Sequence, residues 1–295
     1  MNNRIIDISE EPAALSSRYE NLVIRRDDGS EASLPFGELA VILVSHPRIS
    51  MTQSVLSGIC AAGAVLVACD EKRTPCGMLL PLQGHSTQSE RFALQASAPL
   101  PLRKRLWKQI VQEKIRAQSR ALSRLRGDDR GLALLAAQVR SGDPENVEGR
   151  AARAYWSTLF GAEGFTRDPD SPGLNAMLNY GYAVLRAVVA RAICASGLHP
   201  SLGIHHHNRY DTFPLASDLM EPFRPVVDEA VAAIAAGKPE PELDKAAKSA
   251  ILARLAERRP GGGETRTLFD FAGIEAASLA KVYEGAQKTL TIPAL

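Results

Sequence analysis

The sequence predicts an α+β fold in which a small β-rich N-terminal domain precedes a larger, all-helical domain. The first 85 residues contain short apolar or β-branched runs separated by turn residues, whereas the later residues form long stretches rich in Ala, Leu and Arg. A length of 295 residues with 45% hydrophobic content is sufficient for one large domain or two ordinary ones. We therefore predict domains over residues 1–85 and 101–295, joined by a linker over residues 86–100.

The predicted strands are short and lie before the linker. They are Arg4–Ile8, Asn21–Arg26, Glu31–Leu34, Leu39–Val44, Ala64–Cys69 and Gly77–Leu82. Asp28 and Gly29 separate two of these runs and predict a hairpin, because glycine accepts the positive φ that a tight turn requires. One helix, Met51–Ala62, is predicted among the strands, with Thr52 as its cap and Gly63 at its end.

The predicted helices of the larger domain are separated by Gly and Pro. They are Leu102–Leu125, Arg130–Arg140, Pro144–Gly161, Leu174–Ser196, Pro225–Ala236, Glu240–Arg258 and Glu275–Leu290. The segment Arg259–Thr265 is rich in Pro and Gly, and we expect a mobile loop there. It lacks the G-K-[ST] ending of a phosphate-binding P-loop, so we assign it no role in nucleotide binding.

Charge, cysteine usage and hydropathy exclude several classes of protein. The net charge is only +2, so contact with a polyanion requires a local basic patch. No CxxC pair occurs, and the four cysteines are expected to be free thiols in a reducing compartment. The N-terminal segment lacks the apolar region of a secretory signal, and no apolar run reaches the roughly 18 residues that span a bilayer. We expect a cytoplasmic protein with no membrane contact.

One predicted helix carries a cationic stripe. Residues 102–126 contain nine Lys or Arg residues and a single acid, Glu113. The stripe, within roughly a third of the helical wheel, consists of Arg105, Lys108, Arg116 and Arg120. Apolar side chains that include Trp107 and Leu125 lie on the opposite side. Ordinary soluble faces mix charges of both signs, so we predict contact with a phosphate backbone; a solvated charged face is the alternative.

Residues 203–225 concentrate side chains that bind metals. The segment reads GIHHHNRYDTFPLASDLMEPFRP, and its candidate ligands are His205, His206, His207, Asp218 and Glu221. Imidazole beside carboxylates is the ligand chemistry of a divalent transition metal or magnesium, and apolar neighbours make an unpaired carboxylate costly. An exposed histidine turn and ordinary helical acids are the alternative. Asp218 and Glu221 would share a helix face, but Pro222 disfavours the α conformation at Glu221, so a kink or break is expected there.

A further candidate ligand, Glu148, comes from a different helix. Asp143 is a natural N-cap and Pro144 suits the first helical position, which places Glu148 in the second turn. Tyr155 and Leu159 follow on the same face, so the carboxylate points along an apolar stripe and needs a partner. A metal ion is one such partner, and a partly exposed glutamate paired with an arginine is the alternative.

Four ordered blocks resemble CRISPR-associated integrases of the Cas-one family, most of all the form found in type II systems. NVEGRAARAYW resembles the glutamate motif of that family, and DSPGLNAMLNYGYAVL resembles its second motif. GIHHHN resembles the histidine motif, and SDLMEPFRP resembles the acidic motif. The resemblance spans nearly the whole chain, and the family's two-domain layout agrees with the β-rich start and helical remainder.

The resemblance implies which residues hold a metal ion. The implied set is Glu148, His206 and Glu221. Asp218 is implied as a supporting ligand or as a residue that hydrogen-bonds a ligand. The family pattern G-[IL]-x-H-x-N, aligned on Gly203 and Asn208, selects the middle histidine, while the triplet leaves His205 and His207 as alternatives. Mg²⁺ or Mn²⁺ is expected, and the imidazole favours Mn²⁺ in vitro.

The resemblance also implies a function, the acquisition of spacers in prokaryotic immunity. A homodimer built through the β-rich domains would join the small Cas-two protein and insert prespacer DNA into a repeat array by metal-assisted transesterification. The cationic stripe would track the DNA backbone without reading sequence. The type II effector nuclease is a further candidate partner. A stand-alone metal-dependent nuclease and a non-catalytic DNA-binding scaffold are the two alternative functions.

Overall fold

The computed structural model describes residues 3–71, 75–81, 83–160, 165–236, 238, 240–261 and 263–295. Strands dominate the N-terminal part, and helices make up most of the rest. The predicted ends at Leu82 and Gly161 lie outside the described residues. The mixed composition of strands followed by helices confirms the coarse form of the predicted fold.

The N-terminal part contains eight strands and one α-helix within the described residues. They are β1 (Arg4–Ile8), β2 (Ala13–Arg18), β3 (Asn21–Arg26), β4 (Glu31–Pro35), β5 (Leu39–Val44), β6 (Ile49–Met51), α1 (Gln53–Ala61), β7 (Val65–Cys69) and β8 (Pro75–Leu79). The sequence predicted neither β2 nor β6. The first contains polar Ser16 and Ser17, and the second is three residues long, so neither shows the apolar pattern of a strand.

These strands form two four-stranded sheets. The first has the order β1-β5-β7-β8, in which only β8 is antiparallel to its neighbour. The second has the order β4-β3-β2-β6, with β2 and β6 parallel. Gly29, at a φ of 81°, lies in the turn between β3 and β4, which confirms the predicted hairpin.

Strand β5 of the first sheet is buried on both faces. Val41 and Leu43 of β5 join the core of the helical part, whereas Leu39 and Ile42 join a second core with Ile59 of α1. A strand covered on both sides is apolar at every position, which is why β5 reads LAVILV without alternation. This sheet therefore connects the β-rich part to the helices that carry the candidate site.

Nine α-helices follow within the described residues. They are α2 (Gln88–Ala96), α3 (Leu100–Arg126), α4 (Leu132–Gln138), α5 (Val147–Leu159), α6 (Leu174–Ala195), α7 (Pro214–Leu219), α8 (Arg224–Ala235), α9 (Lys245–Ala256) and α10 (Leu268–Tyr283). A 3-10 helix, Glu221–Phe223, connects α7 to α8. The buried helix α6 packs against α8 and α10, and a Cβ on Gly181 would lie 2.3 Å from Val227 Cγ1. Only glycine permits this close approach.

Two segments differ from the predicted layout. Most of the predicted linker, residues 86–100, is helix α2, whose buried Gln95 donates to the carbonyl groups of His199 and Leu202 at 2.9 and 2.8 Å. The segment Arg259–Thr265, expected to be mobile, contains β9 (Arg259–Gly261) and most of β10 (Glu264–Arg266), which pair antiparallel. The larger part is therefore not all-helical.

The C-terminal helix boundaries were also predicted wrongly. Helix α10 begins at Leu268 rather than Glu275, because Thr267 and Asp270 form a reciprocal capping box. Helix α9 begins at Lys245 rather than Glu240, since the Asp244 side chain accepts from the N–H of Ala247 at 2.7 Å. Both caps were present in the sequence as T-x-x-D and as an aspartate before the helix.

Two further observations concern the cysteines and the lengths of the apolar helices. The four cysteines, Cys60, Cys69, Cys76 and Cys194, are free thiols. No helix in the described part of the chain has the length and apolar character needed to cross a bilayer.

Candidate active site

Glu148 lies in the first turn of α5 and not in the second, because the helix begins at Val147. Asn146 is the N-cap residue and adopts a left-handed conformation with a φ of 48°. The Asp143 carboxylate accepts from the N–H groups of Val147 and Glu148, both at 3.0 Å. Asp143 therefore satisfies the free amides of the first turn from outside the helix, and it fixes the backbone of Glu148.

Lys114, on α3, joins the two carboxylates that were predicted as metal ligands. Its Nζ lies 2.6 Å from Glu148 Oε1 and 2.6 Å from Glu221 Oε2. Burial by itself would lower the pKa of Lys114, but the charges of Glu221 and Glu148 outweigh burial and raise it. The amine is therefore a cation, and two carboxylates from separate elements converge on it.

Glu221 is the first residue of the 3-10 helix that follows α7. Helix α7 ends at Leu219, which confirms the break predicted from Pro222. Glu221 is buried, and its Oε1 accepts from Arg224 Nε at 2.9 Å. Burial opposes ionisation, yet Arg224 and Lys114 lower the pKa of Glu221 to about 2. Its buried Oε2 lies 2.6 Å from the Lys114 amine.

Asp218, on α7, is fully buried and holds the histidine segment in place. Its Oδ2 accepts from the N–H groups of Ile204 and His205, at 2.6 and 3.0 Å. Its Oδ1 accepts from the N–H of His206 at 3.1 Å and lies 2.5 Å from Nδ1 of the same ring. The helix break expected at Pro222 removes the shared helix face and gives Asp218 and Glu221 different partners.

His206 is the member of the triplet that Asp218 orients. The bond to Asp218 raises the pKa of His206, and the nearby charges of Glu221 and Glu148 act in the same direction. When Nδ1 donates to Asp218, the Nε2 lone pair is left for another partner. His205 instead stacks on Trp107, with ring centroids 4.2 Å apart and an interplanar angle of 6°. His207 is exposed. The arrangement therefore favours His206 as the ligand among the three.

The sequence was compared with known families and proteins. The model of the family described as CRISPR associated protein Cas1 matches residues 6–252. The chain belongs to the Cas1 family. The CRISPR-associated endonuclease Cas1 of Neisseria meningitidis serogroup C is 40% identical over 216 residues, which cover 72% of this chain and 70% of the relative. The family resemblance drawn from the four sequence blocks is thereby confirmed.

Solved structures share the fold of this Cas1 chain. A casposase bound to its integration product aligns with a TM-score of 0.76 at 18% identity, over 97% of this chain and 92% of that chain. A chain of a Cas6-RT-Cas1–Cas2 complex also aligns with a TM-score of 0.76 at 18% identity, over 97% of this chain and 35% of that chain. At this level of identity the likeness establishes the fold alone.

Tyr182, in the second Cas1 block on α6, is linked to Glu221 through Arg224. Tyr182 donates to the buried carboxylate of Asp228, and Tyr155 donates to the same carboxylate at 2.9 Å. The Arg224 guanidinium lies over the Tyr182 ring, 4.6 Å from its centroid, and also binds Glu221. Burial raises the pKa of Asp228 to about 7, although both tyrosine hydrogen bonds oppose the shift. A continuous polar network therefore runs from Glu221 into the core.

Other residues of this block position α6. Asn175 and Asn179 accept from the guanidinium of Arg167, at 2.9 and 2.5 Å. Tyr180 donates to Asp7 of β1 at 2.7 Å, and so ties α6 to the first sheet. These contacts give the polar residues of the block a structural role in the Cas1 fold.

Two residues of the predicted cationic stripe are already paired. The carboxylate of Glu113 lies 2.7 Å from Arg120 Nη2 and 3.4 Å from Arg116 Nη1. Arg120 also donates from Nε to the main-chain oxygen of Leu295. Farther along α3, Arg124 pairs with Glu229 of α8. The near absence of acids within α3 was therefore a poor guide to free charge, because the single acid Glu113 binds two arginines and α8 supplies a partner for a third.

The N-terminal half of the stripe is more open. Arg105 is exposed, Lys108 is half-buried, and neither has an ion-pair partner among the described residues. Leu125, which was predicted on the buried side of α3, is 36% exposed because it lies in the last turn of the helix. Arg105 and Lys108 are thus the stripe residues best placed to contact a phosphate backbone.

The sequence analysis missed Lys114. It follows buried Trp107 by seven residues, and so lies on the same side of α3 as the apolar core positions Ile110 and Val111. A lysine within an apolar stripe is rarely buried without a partner. This position was the available signal that Lys114 faces acids from other helices instead of solvent.

The residues are compatible with the divalent ion that the Cas1 resemblance implies. Two glutamates and an imidazole are suitable donors for such an ion. As arranged, no three His, Cys or carboxylate side chains of the described residues form a group that could hold an ion. The Lys114 amine, and not a shared cavity, joins the two glutamates. The donor atoms are of the kinds that bind such an ion. In this structure the Lys114 amine contacts both glutamates.

Proposed function

We propose that this Cas1 chain is a divalent-metal-dependent DNA integrase and endonuclease of CRISPR spacer acquisition. Glu148, His206 and Glu221 would hold Mg²⁺ or Mn²⁺, and Asp218 would support the histidine. The observation that carries the proposal is the convergence of Glu148 and Glu221 on one amine beside an oriented imidazole. Family membership and the likeness of the fold to a casposase bound to its integration product add support.

The proposed reaction is a transesterification. A 3′-oxygen of the incoming DNA forms a bond to a phosphorus in the repeat, while the bond from that phosphorus to the departing strand's 3′-oxygen breaks. The ion, when bound, lowers the pKa of the attacking hydroxyl and offsets charge on the phosphoryl oxygens. Asp218 fixes the ring and tautomer of His206 through Nδ1, and Arg224 orients Glu221. A hydrolytic reaction would use the same residues with water as the nucleophile.

We also propose the assembly in which the chain works. Residues 1–85 form the dimerisation domain, and residues 101–295 form the catalytic and DNA-binding domain. The partners are prespacer DNA, the repeat array, the Cas-two subunit and a second copy of the chain, with the type II effector nuclease as a further partner. The likeness of the fold to a chain of a Cas6-RT-Cas1–Cas2 complex supports the Cas-two subunit as a partner. Arg105 and Lys108 would contact the DNA backbone.

A supercoiled plasmid that carries the repeat array tests the function. Labelled prespacer, Cas-two, Mn²⁺ and the full chain should give joined donor–target DNA. Glu148→Gln, His206→Asn and Glu221→Gln should each reduce joining by at least about 100-fold. This loss exceeds the one expected for substituting a residue that only hydrogen-bonds a metal ligand. His207→Asn is the matched control and should join DNA normally.

Three outcomes distinguish the alternatives. Joining that depends on Glu148, His206 and Glu221 supports the integrase. Nicking without joined product, with the same dependence, indicates a nuclease. Joining or nicking that survives all three substitutions in folded protein contradicts the assigned site.

A further inference from the structure

Lys114 is a cation already in contact with both glutamates of the candidate metal site. Its Nζ lies 2.6 Å from an oxygen of each, and its side chain is 13% exposed. Arg224 binds the other oxygen of Glu221. Two carboxylates are therefore matched by two cations, and this half of the site is close to neutral before any ion enters.

A neutral buried cluster has little attraction for a divalent ion. Two further positive charges would have to enter beside Lys114 and Arg224, and at short range in a medium of low dielectric this repulsion is strong. Arg224 is held by the Tyr182 ring and Glu221, whereas no other hydrogen bond or ion pair of the Lys114 amine is seen among the described residues. Lys114 is consequently the cation that can leave.

The amine has a direction in which to move. Glu148 is more exposed than Glu221, with 24% of its side chain accessible against 4%, so the cluster opens toward solvent on the Glu148 side. A lysine carries its charge on a flexible four-carbon stem. An anion arriving at this opening, such as a DNA phosphate, is the natural new partner for the amine.

We propose that Lys114 is a built-in counter-cation that competes with the divalent ion for Glu148 and Glu221, and that a DNA phosphate draws the amine away from both. The inference rests on the proposed function. It makes Lys114 a positioning residue whose departure couples DNA binding to metal binding. By linkage, DNA then tightens metal binding by the same factor as metal tightens DNA binding.

Calorimetric titration of Mn²⁺ into the full chain tests the competition without any assay of activity. Lys114→Met should bind Mn²⁺ about tenfold more tightly than the unaltered protein, equivalent to about 1.4 kcal/mol. Lys104→Met, at an exposed position on the same helix, is the matched control and should leave the Mn²⁺ affinity unchanged. Non-cleavable duplex DNA should increase the affinity of the unaltered protein by a larger factor than that of Lys114→Met.

A second measurement does not depend on the folding of a variant. Lysine acylation of the unaltered protein, followed by mass spectrometry, reports how accessible each amine is. Saturating Mn²⁺ should raise the acylation rate of Lys114, because the ion displaces the amine from both glutamates, and should leave the rate of the exposed Lys104 unchanged. The rate with protein alone provides the reference.

The outcomes separate this inference from the proposed function. Mn²⁺ binding that is equal or weaker in folded Lys114→Met, or a Lys114 acylation rate that Mn²⁺ does not change, overturns the inference alone. A merely structural lysine would give one of those results. If neither the unaltered protein nor Lys114→Met binds Mn²⁺, both the inference and the proposed metal site are wrong.

Discussion

The two halves of the candidate site are held by different kinds of interaction. In the histidine half, Asp218 binds three backbone amides and the His206 ring, so the ligand is fixed by a single buried acceptor. In the carboxylate half, the side chains of Lys114 and Arg224 hold the glutamates. Backbone amides cannot leave without unfolding the segment, whereas a lysine needs only to rotate. One half is therefore preorganised, and the other is exchangeable.

Removal of Glu221 should have the largest effect on stability. Glu221→Ala leaves Lys114 and Arg224 buried with less compensation, at a cost of about 3–5 kcal/mol in the free energy of unfolding. Glu148→Ala should cost less, because Glu148 is more exposed and Lys114 keeps Glu221 as its partner. Urea denaturation of the metal-free proteins measures both values. Equal losses would show that the carboxylate half is not held mainly through Glu221.

The network behind Glu221 should make stability depend on pH. Asp228 has a pKa of about 7 in the folded protein against 3.8 for the free side chain, so the folded state holds more protons between these values. The free energy of unfolding should fall as pH rises from about 4 to about 7, by at most about 1.4 kcal/mol per pH unit, and then level off. Asp228→Asn should remove this slope. An unchanged slope in denaturation experiments from pH 4 to 8 would contradict the assignment.

Loss of Asp218 should break the histidine half. Asp218→Ala removes the acceptor of three amides and one ring, and should cost about 1–3 kcal/mol for the unsatisfied groups. Mn²⁺ affinity should fall about 10- to 100-fold because His206 loses its orientation. Asp218→Asn, which keeps one oxygen, is the control and should lie between the two proteins. A variant that folds and binds Mn²⁺ as before would show that Asp218 does not position the ligand.

The two halves of the cationic stripe should differ in how much they contribute to DNA affinity, and this effect is smaller than those above. The slope of log affinity against log salt is negative. The double variant Arg105→Ala with Lys108→Ala should make it shallower by about 2, as expected for the loss of two phosphate contacts. Arg116→Ala with Arg120→Ala should change it less, because Glu113 already binds both guanidinium groups. Fluorescence anisotropy with duplex DNA over a salt series provides the comparison. A larger effect of the second pair would restore the whole stripe as the DNA contact.

Local patterns predicted much of the fold. β1, β3 and β5 have the predicted bounds, because their apolar runs and the Gly29 turn are signals within a few residues. The N-terminus of α10 was missed although Thr267 and Asp270 form its cap. Strand β6 was missed because three residues carry no recognisable period, and its pairing with β2 depends on the tertiary fold.

Part of the candidate site could be predicted from the sequence, and the rest depends on how the helices pack. Glu148, His206 and Glu221 were available from motif and spacing, and Pro222 correctly predicted the helix break. The partners of these residues could not be predicted, since Lys114 lies on a helix distant in sequence from Glu221. Glu113 of the same helix binds Arg116 and Arg120, and Glu229 of α8 binds Arg124, so the sign and number of charges along α3 did not show which cations are free. Residue types identify donors, and only the packing of helices determines which cation each donor meets.

The central claim is that Glu148, His206 and Glu221 form one metal site. A crystal structure with Mn²⁺ and prespacer DNA, with the ion located by its anomalous scattering, tests the claim most directly. The account predicts one strong peak bound by both glutamates and by His206 Nε2, with Asp218 still on Nδ1 and the Lys114 amine displaced. A peak at His205 or His207, or no peak between Glu148 and Glu221, would contradict it.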